Sequence, residues 1–309
     1  GGTVRFITPE PSLTGGSTYV RSELGFTEGG EESYEAGAAF GGPIVADKLA
    51  VRASTWYRQD GGWVDQVDWS RATRTPTQVT DGNSNRQNST VARVALSYAP
   101  TEALRIVPSV YYQKLELNDT PFYWASLSGG DDYVTGNALN ARNEDRFYLP
   151  ALKVQWDIGA VSVVSNTSYF NRNNEAINDY SAFEAGLWAR NPYFPEGFFA
   201  PTRQINQQNN FTQELRVQSS NPGSRWSWVA GAFYSHARQT AKQFVEKTFL
   251  PTMNPMELVF GPGAALADGR NTFVAALGEE IEELAAHGRG GEQLGTFRLG
   301  AHRRSVQES

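Results

Sequence analysis

The sequence has no cysteine. Disulfides, thiolate metal centres and a cysteine nucleophile are therefore excluded, and an oxidising compartment is compatible with the chain. Histidine is scarce, with 3 scattered residues in 309, so no histidine metal cluster is expected and no metal or cofactor is assigned. No run of about eighteen apolar residues occurs, which excludes a transmembrane helix but not a β-barrel, whose signal hides in alternation. A net charge of -6 carries no nucleic-acid footprint. HExxH, GxSxG and the P-loop are missing, and Gly261-Pro262-Gly263 has no strand before it, so no catalytic residue is assigned and no enzyme is expected. No signal peptide begins at Gly1; for an exported protein, that start is expected to have been lost or removed.

Aromatic residues, by contrast, are plentiful: 8 Trp, 13 Tyr and 17 Phe. The stretch from Val91 to Leu117 shows how they are used. Ala92, Val94, Leu96 and Tyr98 are apolar, with Arg93, Ala95 and Ser97 between them. Ala99 to Glu102 make a short turn, and Leu104, Ile106, Pro108, Val110 and Tyr112 return on one parity, with Arg105, Ser109, Tyr111 and Gln113 on the other. A period of two predicts strands with one face in an apolar medium. Each arm runs about ten residues, the length that a tilted strand needs to cross an outer membrane, against about five or six in soluble domains.

The pattern recurs along the chain. A short N-terminal strand stops at Pro9 and Pro11; strands follow around Val20–Phe26, Tyr34–Phe40 and Leu49–Tyr57. A long polar loop, Asp60–Asn88, leads into the 91–117 hairpin, and another long loop runs to Asp145. Tyr148, Leu152, Val154 and Trp156 form the next apolar face, Ile158-Gly159-Ala160 turns, and Val161 to Tyr169 go back. The longest loop is expected over Asn173–Asn209; then Phe211, Leu215 and Val217, a turn at Asn221-Pro222-Gly223, and a strand from Trp226 to Ala237. This gives roughly nine strands in which short turns alternate with long loops after the first hairpin, as in outer-membrane barrels. Phe40, Tyr98, Trp156 and Trp226 fall near the short-turn ends; Tyr34, Tyr57, Tyr112, Tyr148 and Tyr169 fall near the long-loop ends. Two aromatic levels suit two membrane interfaces. A soluble β-sandwich or propeller also alternates, but explains neither the two levels nor the loop asymmetry. In the tail, Val274, Leu277, Ile281 and Leu284 sit at helical spacing around Glu279-Glu280 and Glu282-Glu283, which predicts a partly helical, non-barrel segment.

These residues carry a family resemblance. Gly2-Thr3-Val4-Arg5-Phe6-Ile7-Thr8, followed by Pro11, resembles the last plug strand of TonB-dependent outer-membrane receptors. Gly41 to Arg52 is similar to the family's first periplasmic turn and third strand, and Thr212-Gln213-Glu214-Leu215-Arg216-Val217 with Trp228 to Tyr234 is similar to a hairpin of its iron-complex receptor branch. The resemblance implies an all-β chain: a transmembrane antiparallel barrel, here about nine of an expected 22 or so strands. On this reading 1–13 ends the plug, 14–240 is the N-terminal part of the barrel, and 241–309 is an extracellular loop and an aberrant tail. It also implies the outer membrane of a Gram-negative bacterium, lipid and TonB as partners, and active uptake of a ferric siderophore, cobalamin or glycan. Most of the plug, with its TonB-contacting segment, is not in the sequence, and Gln307-Glu308-Ser309 lacks the family's terminal aromatic residue; a truncated or frame-shifted gene product is the expectation that accounts for this.

For the ligand, the long loops offer Trp63, Trp69, Tyr123, Trp124, Trp188, Tyr193 and Phe194, rings that can stack on flat ligand faces or pack on one another to close the barrel mouth. Glu214 and Arg216 share a strand face and read as a lumen-facing ion pair. The reading from another class is a soluble carbohydrate-binding or glycan-hydrolysing β-protein with aromatic loops.

Overall fold

A computed structural model describes residues 8–130, 132–189, 198–220, 227–247, 271–289, 297–299 and 304–305. Its main feature is one long antiparallel sheet. Alternating residues form β1 (Ser17–Phe26), β2 (Glu32–Val45) and β3 (Leu49–Asp60). Two short strands, β4 (Asp65–Ser70) and β5 (Thr75–Asp81), interrupt the run before β6 (Gln87–Thr101) and β7 (Leu104–Leu117). After the short β8 (Val134–Thr135) come β9 (Asn143–Ile158), β10 (Val161–Asp179), α1 (Ser181–Ala189), β11 (Pro201–Ser219) and β12 (Val229–Lys247). The tail gives β13 (Asn271–Arg289), β14 (Phe297–Leu299) and β15 (Arg304–Ser305).

The main sheet runs β1-β2-β3-β6-β7-β9-β10-β11-β12-β13-β14, with β15 also on β13; β5-β4-β8 form a second, three-stranded sheet. Each long strand therefore pairs with the next long strand in the chain, an up-and-down meander. Strands of up to 19 residues exceed what a soluble sheet uses. A single continuous sheet also removes the sandwich, which needs two sheets face to face.

The short turns after β2 and β9 fall where the sequence puts them, and Asn221-Pro222-Gly223 lies outside the described residues. Asp47, at φ 60°, lies between β2 and β3, and Gly159, at φ 59°, between β9 and β10. Both take the left-handed region, which glycine enters freely and aspartate tolerates. The long-loop ends differ from expectation in two places: β10 and β11 stay paired as far as Asp179 opposite Pro201, so the segment between them is shorter than Asn173–Asn209, and β12 runs past Ala237 to Lys247. The ladder is extended by polar side chains that satisfy one another, such as Arg203 with Glu175 and Asn206 with Asn174.

The two faces of the sheet separate by parity. Val94 and Val110 are about half exposed, as are Tyr98 and Trp156, whereas the neighbours Ala95, Ser97 and Val107 are buried. Exposed aliphatic and aromatic side chains on one side of a sheet are costly in water and suited to hydrocarbon. Across this face, Val94, Leu96, Val110, Leu152 and Phe211 line a shallow apolar groove of about 450 Å³. The aromatic levels are in register: Tyr112 is directly opposite Tyr148, and Leu104 opposite Trp156. Eight residues separate Tyr148 from Trp156, about 27 Å along a strand and about 20 Å once tilted, close to the apolar band of a barrel. Trp226 lies outside the described residues.

The tail is a correction. Residues 271–289 are strand, not helix, and pair with β12 from Val229 opposite Arg289 to Lys247 opposite Asn271. The physical reason is the edge of β12. A row of unpaired N–H and C=O groups is satisfied by a partner strand, and this outweighs the local helical spacing.

Candidate functional site

At the long-loop end the sequence builds a separate small layer. β4 pairs antiparallel with β5 and parallel with β8, so the loops after β3 and β7 are joined. Val67, Trp69, Leu127, Val134 and Ala185 form its apolar core, with Trp124, Ala182 and Phe198 packed against it. Helix α1 thus contributes from the loop after β10. Trp69 is 3% exposed and donates its indole N–H to the Gly136 carbonyl at 3.0 Å. A Cβ at Gly136 would come within 2.7 Å of Leu127 and of the Trp69 ring, so this position takes only glycine without a shift. Trp124 donates to Asn137 Oδ1 at 3.0 Å, and its ring centroid lies 5.6 Å from that of Trp69.

Carboxylates tie this layer to the long strands. Asp119 is fully buried just after β7; its Oδ1 accepts from the backbone N–H of Thr120 at 2.7 Å and of Ala141 at 2.9 Å. Burial pushes its carboxyl above the usual aspartate range, and the Asp179 charge adds to this, against the opposing bonds from Ala141, Thr120 and Ser84. Asp81 shows the reverse balance. Burial raises it, but hydrogen bonds from Asn140, Arg86 and Asn118 outweigh that and hold it below the usual range. Asp179 gathers the N–H groups of Ala138 and Leu139 and of Ser181 at the start of α1.

Of the aromatic residues named from the sequence, the four with described side chains divide into two groups. Trp69 and Trp124 sit inside the layer. Trp63 and Tyr123 form a cluster with Tyr133: ring centroids are 5.1 Å for Trp63–Tyr133, 4.9 Å for Tyr123–Tyr133 and 6.4 Å for Trp63–Tyr123, all edge to face. Tyr123 and Tyr133 are exposed, and so is the neighbouring Phe122. Trp63 is held by its backbone N–H on Asn85 Oδ1 at 2.8 Å. Trp188 lies in α1, where only its backbone is described, and Tyr193 and Phe194 lie outside the described residues. Sequence reasoning missed Tyr133 because it stands alone beside Asp132, whereas Tyr123-Trp124 is an aromatic pair. Among the described residues no group of acidic and histidine side chains could hold a metal ion.

The polar face of the sheet meets the N-terminal segment. Lys153 contacts Glu10 at 2.8 Å and Arg105 contacts it at 3.6 Å, while Pro11 is fully buried. Arg93, Arg105 and Lys153 thus all lie on the side that the segment before β1 occupies. Glu214, on the same parity as Arg216, accepts from Asn166 at 3.3 Å, and no ion pair between Glu214 and Arg216 is found among the described residues. The expected pair is replaced because Asn166 stands directly opposite Glu214 in the ladder.

No protein-family model matches the chain, and no curated protein sequence matches it. Solved structures do. The ferric yersiniabactin uptake receptor FyuA of Yersinia pestis aligns over 97% of this chain and 44% of its own, at a TM-score of 0.55 and 12% identity. The ferripyoverdine receptor of the outer membrane of Pseudomonas aeruginosa aligns over 96% and 40%, at 0.50 and 9% identity. The RagAB peptide importer aligns over 82% and 30%, also at 0.50 and 9% identity. The chain spans less than half the length of each. Its fold, an all-β meander of long antiparallel strands, is that of part of the receptor barrels of the bacterial outer membrane.

Proposed function

We propose that this chain is the N-terminal part of the barrel of a TonB-dependent outer-membrane receptor, that it sits in the outer membrane of a Gram-negative bacterium, and that it is not an enzyme. On this reading residues 1–13 are the end of the plug and enter β1 from inside the barrel. The observation that carries the proposal is the seating of Pro9 to Pro11 on the polar face of the sheet, opposite the face that exposes Val94, Val110 and Leu152. A soluble glycan-binding sheet has no reason to expose one whole face and cover the other with its own N-terminal segment.

The nutrient is proposed to be a ferric siderophore or another iron complex. This follows the likeness to two receptors whose names specify iron complexes. The likeness to a peptide importer provides the competing arm of the test. Deleting the gene in its host should abolish growth on one ferric complex as sole iron source. Unchanged iron uptake with loss of growth on peptides would reject the iron reading and keep the receptor reading. For the ligand face, Trp63, Tyr123 and Tyr133 are the proposed contacts, joined by Trp188, Tyr193 and Phe194 from the loop before β11, while Trp69 and Trp124 support them. Trp63→Ala with Tyr123→Ala should weaken ligand binding about tenfold or more, given what aromatic contacts contribute to binding. Unchanged affinity at normal barrel levels would reject that assignment.

A further inference from the structure

Four cations stand on the polar face of adjacent strands: Arg52 on β3, Arg93 on β6, Arg105 on β7 and Lys153 on β9. Ladder pairing brings them together two by two. Arg93 is opposite Ser54, two residues from Arg52. Lys153 is opposite Val107, two residues from Arg105. Along β7, Arg93 stands at the level of Tyr111, six residues from Arg105, so the two pairs are joined through residues 9–11, which touch Arg93, Arg105 and Lys153, while Arg52 donates to Ser17 Oγ at 2.9 Å. On the same face Glu35 pairs with Arg21 and Arg58, Asp145 pairs with Arg172, and Glu214 accepts from Asn166. Among the described residues, Glu10 is the single carboxylate within ion-pair distance of any of the four.

What fills the patch is chemically unusual for a peptide. Glu10 gives one oxygen to Lys153 at 2.8 Å and the other to Arg105 at 3.6 Å. The Pro9 carbonyl accepts from Arg93 at 3.0 Å, and the Pro11 carbonyl accepts from Arg105 at 3.0 Å. Proline has no N–H, so the segment presents a carboxylate and two carbonyl oxygens with almost no donor beside them. To the wall it looks like an oxyanion. Arg and Lys are the side chains that hold such groups, Arg by its fork and Lys as a point charge.

We propose that Arg52, Arg93, Arg105 and Lys153 form an anion-binding site of the barrel wall, that Pro9-Glu10-Pro11 occupies it as an internal stand-in, and that its ligand is a small oxyanion with two or more carboxylate or phosphate groups. Lys153 and Arg105 take the group that Glu10 now mimics, and Arg93 and Arg52 take the second. The proposal uses the polar side of the sheet and the segment on it, and does not depend on which nutrient the receptor imports.

Citrate is a suitable probe. The full chain is refolded into zwitterionic detergent micelles at low ionic strength, and citrate is titrated in by calorimetry. If the internal carboxylate fills the site in about nine-tenths of molecules, Glu10→Gln should bind citrate about tenfold more tightly than the parent. Adding Arg93→Gln and Lys153→Gln should abolish that gain. Equal affinity of parent and Glu10→Gln, or a gain that survives loss of Arg93 and Lys153, overturns the proposal. A measurement without any variant guards against misfolding. A peptide of residues 8–13 should compete with citrate on the parent chain, and the same peptide with Gln for Glu10 should not. Equal competition by both peptides, or by neither, also overturns it.

Discussion

At the scale of single residues, the two loop carboxylates make opposite predictions for pH. Asp119 has a folded-state pKa above the ordinary value of about 3.9. The folded state therefore holds its proton more tightly. The stability that Asp119 contributes is present below the ordinary value and is lost as pH rises through the raised one. Amide exchange in residues 118–142, corrected for intrinsic rates, should be slower at mildly acid pH than at neutral pH. Asp119→Asn should remove that difference, because an amide oxygen can still accept from Thr120 and Ala141 while its nitrogen donates to Ser84. An unaltered pH profile in the variant would refute the assignment. Asp81, with its pKa lowered, stabilises above the ordinary value and stops doing so as pH falls through its folded-state value. Loosening around Asn118 and Asn140 at strongly acid pH should therefore be absent from Asp81→Asn.

At the scale of elements, the loop layer and the long strands are stabilised differently. The layer has a packed core of ordinary kind around Trp69. The strands are held by ladder hydrogen bonds and by an apolar face that needs hydrocarbon. Trp69→Ala should destabilise the layer by about 3–5 kcal/mol, the usual effect of a large truncation in a packed core. Limited proteolysis should then cut within 60–86 and 118–142, while the β-sheet circular dichroism keeps its parent amplitude. Loss of both together would show that the layer and the sheet are one cooperative unit. The strands were legible in the sequence because alternation reports a one-sided environment directly. The layer was not, because β4 and β8 are 64 residues apart between Ser70 and Val134 and only two pairs of residues join them.

At the scale of the whole molecule, β1 has one neighbour in the sheet, and its outer edge carries unpaired backbone groups among the described residues. An open edge and a large exposed apolar face both favour association in water. The chain on its own should enter the membrane fraction or aggregate, and should stay dispersed only in detergent. A soluble monomer that melts cooperatively in aqueous buffer would contradict the barrel reading. Facing can be checked separately. In a lipid-embedded preparation, a membrane-impermeant thiol reagent should label Arg93→Cys through the aqueous side and spare Val94→Cys. Preferential labelling at position 94 would invert the assignment.

The sequence by itself determined the strands, their short turns, the two aromatic levels and the sign of each face, because a period of two and a glycine or aspartate at a left-handed turn are local properties of the chain. It misjudged the tail, where the spacing of Val274, Leu277, Ile281 and Leu284 favours a helix but the backbone of 271–289 is a strand on β12. It could not tell a core tryptophan from a half-buried one, since Trp63 and Trp69 stand in similar polar loops. It also gave no hint that Glu10 would meet Lys153, a contact across 143 positions. Those decisions belong to the tertiary structure, because pairing an edge, burying a ring and neutralising a cation each depend on a partner that the fold brings from far along the chain.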